Sequence, residues 1–571
     1  MACAGPVTDV KQFFRDVWIL TLPYWRSPEK GLAALLLAGI VSLNLGEVYI
    51  NVQLNKWNNG FYDSLQQLDK KAFFAALLKF AWLAFFYIVV VVYKTYINQM
   101  LKIRWRRWLT GSFLDRWLDR QNHYRMQLSE NSSDNPDQRI SEDVGQFIDL
   151  TLGLSLGLLS SVVTLFSFLF ILWKLSGAMT IPLGTFGSVT IPGYMVWFAM
   201  LYAVAGTWIT AKLGRPLIRL NYEQQKFEAD FRFALVRFRE NSEKIALYKG
   251  EEREKENFLG RFANVFENYW AIMKRQKTLT WFTSGYYQIA TIFPFIVAAP
   301  RFFTKQIELG GLMQTASAFG QVQGSFSYII DAYTSIATWR AVVDRLHGFT
   351  ATMDETTARS EDPAAFRPVP ANDGTLNVKN MTVQLPDGKP LLENVNLAIG
   401  QGDTLLVSGP SGSGKSTLLR ILAGIWPFAK GTLEIPGNAT TLFLPQSPYL
   451  PLGSLHHALC YPFPATESDD TMRAVLTLCR LEHLTGRLHD TDNWAHVLSP
   501  GEQQRIAFAR AILIKPDFVF LDESTSALDE ATEAYLYTTL KERLPNATLV
   551  SIGHRHTLKA WHDKIFSVGG G

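Results

Sequence analysis

Three short stretches toward the C-terminal end carry residue types suited to phosphate chemistry. The first is Gly409, Pro410, Ser411, Gly412, Ser413, Gly414, Lys415, Ser416 and Thr417, which follows an apolar strand and opens a helix. Glycines there let backbone N–H groups converge on phosphate oxygens, and the helix N-terminus adds partial positive charge. This is a phosphate-binding loop in its required context, with Lys415 placed to reach β- and γ-phosphates and the Ser416 hydroxyl to ligate Mg²⁺. The second stretch, DFVFLDE (Asp517 to Glu523), reads as a buried parallel strand ending in two carboxylates. Asp522 suits the Mg²⁺ shell, and Glu523 suits a general base for an attacking water. The third, VLSPGEQQRIAFAR (Val497 to Arg510), joins a glycine-containing turn to a helix start, which makes it a second potential anion site.

Two further polar residues end strand-like runs, Gln446 after TTLFLP and His554 after ATLVSIG. Open α/β sheets bind ligands at the carboxyl ends of their strands. Both side chains are therefore expected at the γ-phosphate and the water, with Gln446 also within reach of the metal. These motifs fall in residues 375–571, behind a polar Ala-, Pro- and acid-rich linker at 346–374.

The elements that must position this chemistry sit on a very different first half. Charged residues make up only 19% of the 571-residue chain and aromatics 13%, and the apolar excess lies in the first 350 or so. Six stretches approach the roughly twenty apolar residues that a bilayer span needs. They begin near Gly31, Phe73, Leu150, Tyr194, Leu279 and Leu309, which predicts a six-span membrane domain over 31–345. The basic segment KIRWRRWLTGSFLDRWLDRQNHYR places residues from about 102 to 145 in the cytosol, with 215–275 and both termini. Phe13, Phe14, Val17 and Trp18 oppose Lys11 and Arg15 at helical spacing, which suits an interfacial helix within residues 1–30 or a soluble capping helix. The long charged segments at Asn135 to Val144 and Asn241 to Phe258 are candidates for contact with the C-terminal domain, or simply solvated surfaces.

In the last apolar stretch, Gln314, Ser317, Gln321, Ser325, Tyr328 and Asp331 recur every three or four residues. One helical face carries them, so they either line a substrate pathway or bond neighbouring helices, with Gly320 and Gly324 allowing close approach. Glu47, in the first apolar run, is either part of that pathway or an interfacial charge. The net charge of +4 gives no sign of nucleic acid as a partner, and Cys3, Cys460 and Cys479 lack metal spacing and are expected to be passive.

The order of phosphate loop, Gln446, LSPGEQQR, FVFLDE, SALD and His554 resembles the ATP-binding cassette ATPases. Membrane-half motifs LNKWNNGFYDSLQQLD, KIRWRRWLT, NPDQRI, EKIALYKGE and LGGLMQTASAF resemble the BacA/SbmA-related, YddA-type transporters, with peroxisomal acyl-CoA transporters more distant. The resemblance implies an exporter-type fold of six transmembrane helices joined to an α/β P-loop NTPase domain, using ATP and Mg²⁺. It also implies a homodimer in which Ser499 and the Gly501 N–H of one copy grip the nucleotide held by the other. Pro500 replaces a glycine of that pattern, and Leu385 replaces the aromatic residue that stacks on adenine, so GTP is expected to compete. The expected function is a multi-pass transporter of the bacterial inner membrane, contacting lipids and taking up large hydrophilic compounds such as cobalamin or peptide antibiotics. The alternatives are an exporter or flippase of lipid or acyl compounds, and an ATP-gated channel or regulator without transport turnover.

Overall fold

The computed structural model describes residues 10–128, 135–182, 188–361, 366, 368–371, 374–437, 439–464 and 466–568. Cys3 lies outside them. They form two compact units, Met1–Asp115 with Asn135–Thr350, and Arg116–Asp134 with Ala351–Gly571.

In chain order the helices of the first half are α1 (Val10–Arg26), α2 (Lys30–Gln66), α3 (Lys70–Leu118), the single turns α4 (Asn122–Arg125) and α5 (Pro136–Gln138), α6 (Val144–Ser176), α7 (Tyr194–Glu240), α8 (Ser242–Tyr248), α9 (Glu251–Phe303) and α10 (Leu309–Glu361). An antiparallel hairpin, β1 (Ala178–Pro182) and β2 (Ser188–Pro192), joins α6 to α7. α10 continues through the first part of the expected linker. The buried positions of α2 include Ala33, Ile40, Asn44 and Val48, seven and four apart, so one stripe of the helix faces its neighbours. Phe168 and Leu172 of α6, Ala199 of α7 and Phe319 and Val322 of α10 share one core. α7 and α9 run as a long pair. Tyr202 stacks on Tyr286 at 4.4 Å, and a Cβ at Gly206 would stand 2.3 Å from the Tyr286 ring. Glycine is what lets the two helices approach.

The expectation of six spans is corrected here. Among the described residues four helical stretches are long and apolar enough to cross a bilayer: Lys30–Gln66, Lys70–Leu128, Pro136–Ser176 and Tyr194–Glu240. α9 and α10 do not qualify. Their length suffices, but Gln, Ser, Thr, Tyr and Pro interrupt every apolar window, and both helices run on into charged sequence.

One buried charge organises the start of α6. Asp143 is 1% exposed, and its carboxylate accepts from Arg345 Nε at 2.8 Å and Nη2 at 2.7 Å, and from Arg139 Nη1 at 2.9 Å. Fork geometry of this kind satisfies a buried carboxylate well. The segment Asn135–Val144 is thereby tied to α10 inside the membrane unit.

The second unit is built on two sheets. A five-stranded parallel sheet has the order β13-β6-β12-β11-β8, from β6 (Thr404–Ser408), β8 (Thr441–Leu444), β11 (Phe518–Asp522), β12 (Thr548–Ile552) and β13 (Lys564–Ser567). A second sheet runs β3-β7-β4-β5, from β3 (Pro368–Ala371), β4 (Leu376–Gln384), β5 (Pro390–Ile399) and β7 (Ala429–Pro436). Leu418, Ile421 and Leu422 of α11 (Lys415–Leu422) fill the space between these sheets with Phe518, Phe520, Val550 and Leu433. A helical layer carries α12 (Leu455–Cys460), α13 (Asp469–Leu478), the turn α14 (Trp494–Val497) and α15 (Pro500–Ile514), with α16 (Glu530–Arg543) following β11. A two-residue pairing of β9 (Gly453–Ser454) with β10 (Thr491–Asp492) braces it. Buried on nearly every side from Ile506 to Ile512, α15 is a core helix rather than an amphipathic one. Cys460 and Cys479 are buried, and burial pushes the Cys479 thiol up to about 12.

The end of α3 from Arg116 and the short turns up to Leu128 belong to this second unit. Asn122 Nδ2 donates to Thr357 Oγ1 at 3.0 Å, Arg116 pairs with Asp354, and Leu128 packs against the core of the two sheets.

Asp143→Ala leaves two guanidinium groups without their buried partner, and losing half of such a pair costs about 3–5 kcal/mol. A clear fall in the thermal midpoint, followed by tryptophan fluorescence, is expected; Arg359→Ala, on an exposed ion pair, is expected to leave the midpoint in place.

Candidate nucleotide site

The phosphate loop turns at the carboxyl end of β6. A Cβ on Gly409 would stand 2.4 Å from Val568 O, so only glycine allows the loop to start against β13. Gly412 and Gly414 take left-handed backbone at φ 80° and 94°, and Gly414 caps α11. Lys415 begins that helix and is 6% exposed, its ammonium donating to Gly409 O at 3.0 Å and Pro410 O at 2.7 Å. Ser413 Oγ is buried and makes no hydrogen bond among the described residues. An unmet hydroxyl in a glycine-rich loop at the start of a helix fits an anion, so the residues present suit a nucleotide's phosphates.

Strands β8, β11 and β12 deliver the other polar groups. In register, Leu444 lies beside Leu521 and Ile552 beside Asp522, so all three strands end together. Asp522 Oδ1 accepts from Ser416 Oγ at 3.4 Å, which brings the two expected Mg²⁺ ligands together. Burial pushes the Asp522 carboxyl above its usual range, although the Ser416 hydrogen bond opposes the shift. Glu523 sits in left-handed backbone at φ 47°, its N–H donating to Ile552 O at 2.9 Å. Its carboxylate lies between two partners, Gln446 Nε2 at 3.3 Å and His554 Nε2 at 3.3 Å. Gln446, Glu523 and His554 therefore form one cluster, drawn from the ends of three strands.

Gln504 was missed by sequence reasoning. It is 2% exposed, and its amide nitrogen donates to Gln446 O at 3.1 Å and Ser526 Oγ at 3.1 Å, while its oxygen accepts from Ala527 N at 3.0 Å. α15 thus braces the backbone on both sides of Glu523. Its place inside the EQQR run was the available signal, but nothing in the sequence showed which glutamine turned inward.

Ser499 caps α15. Its hydroxyl meets Glu502 N at 3.4 Å and Glu502 Oε2 at 2.7 Å, and its own N–H donates to Glu502 Oε2 at 2.8 Å. Gly501 lies against Ala527 O, a Cβ there standing 3.2 Å from it. No hydrogen bond among the described residues joins 499–502 to the phosphate loop. Leu385 starts the turn between β4 and β5, its N–H donating to Lys389 O at 2.8 Å.

The membrane-half candidates are more dispersed. Glu47 forms an ion pair with Lys94. Gln314 bonds Asn55 Oδ1 at 3.2 Å and Asn59 Nδ2 at 3.0 Å. Ser325 bonds Gln321 O of its own helix at 2.7 Å, and Ser317 and Gln321 make no side-chain hydrogen bond among the described residues.

Residues 20–303 match the family described as ABC transporter transmembrane region 2, and 392–526 match the family described as ABC transporter. Over 96% of its length the chain is 35% identical to the Escherichia coli inner membrane ABC transporter ATP-binding protein YddA, of which it covers 96%. The chain belongs to the ABC transporter family. This transporter is also 27% identical to the human lysosomal cobalamin transporter ABCD4, covering all of this chain and 97% of that one. Its fold is like that of a bacterial Atm1-family ABC exporter solved with ATP bound, at a TM-score of 0.71, 17% identity and 94% coverage of each chain. It is a multi-pass membrane protein whose cassette binds ATP with Mg²⁺ and hydrolyses it to drive transport.

Gln504→Leu keeps the side chain's bulk but strips the brace from Gln446 and leaves Ala527 N unmet. Misplacement of about 1 Å can cost about 10²-fold in rate, so ATPase activity is expected to fall tenfold to a hundredfold while ATP binding, read by equilibrium dialysis, holds.

Proposed function

We propose that this transporter is a homodimeric exporter or flippase of the inner membrane that moves amphipathic compounds with an apolar chain and an acidic head. The observation that carries the reading is a cleft of about 570 Å³ in the membrane unit. Leu45, Val48, Val52, Phe170 and Ile171 supply an apolar wall, and Lys56 and Lys174 stand at it as cations. Such a volume suits one drug-sized or acyl-type guest. A large hydrophilic cargo would need many donors and acceptors, whereas Gln314 at this cleft already bonds Asn55 and Asn59. The uptake of cobalamin remains the second reading, favoured by the name of the human relative. Placement in an inner membrane is supported by the name of the Escherichia coli relative. The basic run from Lys102 to Arg125 supports a cytosolic cassette and cytosolic termini.

In the cassette, Lys415, the loop N–H groups and Ser413 hold the phosphates, while Ser416 and Asp522 hold the metal. Bound ATP–Mg²⁺ supplies the phosphoryl group whose transfer to water releases energy. Glu523 takes the proton from that water, and His554 and Gln446 hold its carboxylate in place; general-base catalysis of this kind contributes about 10²–10⁴ in rate. Assembled as it is, this cluster speaks for turnover rather than a nucleotide-gated channel. Since 499–502 makes no bond to the loop of its own chain, Ser499 and Gly501 complete the site of a second copy. Leu385 offers adenine an aliphatic face only, so GTP is expected to compete.

Mixed dimers test the composite site. Lys415→Ala and Ser499→Tyr homodimers are expected to be inactive, while a dimer of one with the other keeps a single intact site and regains ATPase activity. No activity in the purified mixed dimer removes the trans arrangement. For cargo, inside-out vesicles with ATP are expected to accumulate a labelled long-chain acyl compound. Accumulation of cobalamin by right-side-out vesicles, with no acyl movement, replaces this reading by uptake.

A further inference from the structure

α7 and α9 carry a groove that no step above uses. At one level of this helix pair, a cleft of about 640 Å³ is lined by Lys212, Arg215 and Arg219 of α7 and Lys274 and Arg275 of α9. The neighbouring turns are the reverse. An apolar cleft of about 330 Å³ lies between the same helices, lined by Ala205, Gly206 and Ile209 with Trp281, Phe282 and Ile289. From Ile209 to Arg215 is six residues, about 9 Å along a helix, so one feature runs into the other.

The sequence changes character at the same level. α7 is uncharged from Tyr194 to Ala211, and Lys212 is the first charge; α9 is uncharged from Thr278 to Pro300, and Lys277, Arg275 and Lys274 precede it. Trp208 and Trp281 are 65% and 80% exposed at the boundary, the position aromatic side chains take at a membrane–water interface. Few acids offset the five cations. Arg219 Nε meets Glu223 at 3.3 Å and Lys212 Nζ lies 5.4 Å from the Trp208 ring, while the side chains of Arg215, Lys274 and Arg275 make no ion pair or hydrogen bond among the described residues. Clustered cations beside an apolar slot, at the level where the spanning helix α7 turns from apolar to basic, call for an anion with a hydrocarbon tail.

We propose that this groove binds an anionic phospholipid, its phosphate among Arg215, Lys274 and Arg275 and an acyl chain in the slot beside Gly206. The site lies outside the cassette and shares no residue with the cleft assigned to cargo, so it does not rest on the direction or substrate of transport. Basic residues near a membrane surface attract anionic lipids, and their removal costs about fivefold in affinity per charge.

The test is native mass spectrometry of the full-length protein in detergent, titrated with dioleoyl phosphatidylglycerol or phosphatidylcholine. Phosphatidylglycerol is expected to bind preferentially. Lys274→Gln/Arg275→Gln is expected to weaken it about 25-fold and leave phosphatidylcholine unchanged, whereas Lys274→Arg/Arg275→Lys and the distant Lys70→Gln/Lys71→Gln keep the preference. Ala205→Trp, which fills the slot, is expected to weaken phosphatidylglycerol as well. Equal binding of both lipids, or undiminished phosphatidylglycerol binding in the double Gln variant, overturns the proposal. Displacement by millimolar inorganic phosphate alone assigns the cleft to a free anion and overturns it too. So does a Gln variant that turns monomeric while keeping its lipid preference, since the cleft then belongs to a second copy.

Discussion

The cassette is organised around a carboxylate held in an unfavourable backbone conformation. Left-handed φ at a residue other than glycine costs about 1–3 kcal/mol and persists only where its surroundings over-determine it. At Glu523 the surroundings do so from several directions. Its N–H is fixed by Ile552 of β12, the next residue's hydroxyl bonds Leu444 O of β8 at 2.7 Å, and Gln504 reaches both flanking loops. In this conformation the carboxylate meets Gln446 and His554. Parallel strands are needed for this. Only when β8, β11 and β12 end at one level can residues from three separate parts of the sequence meet at one point.

The membrane unit obeys a different constraint, that polar groups among apolar helices must find one another. Tyr286 and Gln323 meet at Ser327, Trp339 Nε1 donates to Thr151 Oγ1 at 2.9 Å, and Tyr328 reaches Leu154 O at 2.9 Å. Apart from the Gln323–Ser327 bond within α10, each links helices that sequence distance separates. The polar positions of α10 thus serve as cross-links at several levels, and those left unspent, Ser317 and Gln321, are few.

Much of the site was legible because its residues cluster in short motifs whose context is local: a strand, then the glycines, then Lys415. The meeting of Gln446, Glu523 and His554 could be read from strand ends alone. Gln504 could not, since a buried amide and a solvated one look alike in sequence. Nor could the Asp143–Arg345 pair, whose partners are separated by most of the membrane unit. Span counting failed at α9 and α10 for a related reason: helices that pack against other helices need less apolar sequence than a bilayer demands, and composition does not distinguish the two.

The departure at Pro500 has a structural account. Proline occupies the first position of α15, where an N–H has no intrahelical acceptor and the fixed φ suits the helix. Ser499 and Glu502 form a reciprocal cap, which accounts for the Ser499 and Glu502 N–H groups, and Gln503 N returns to Ser499 O at 3.0 Å. Burial alone would raise the Glu502 carboxyl, but its bonds to Ser499 bring it below the usual range and keep it a charged acceptor. Of the donors at the helix start, Gly501 N–H alone has no partner among the described residues. A glycine in place of Pro500 would add a second unpaired donor beside it. Proline therefore leaves Gly501 N–H as the one unpartnered donor at the start of α15 among the described residues, and it does so without loosening the helix that holds Gln504 in place.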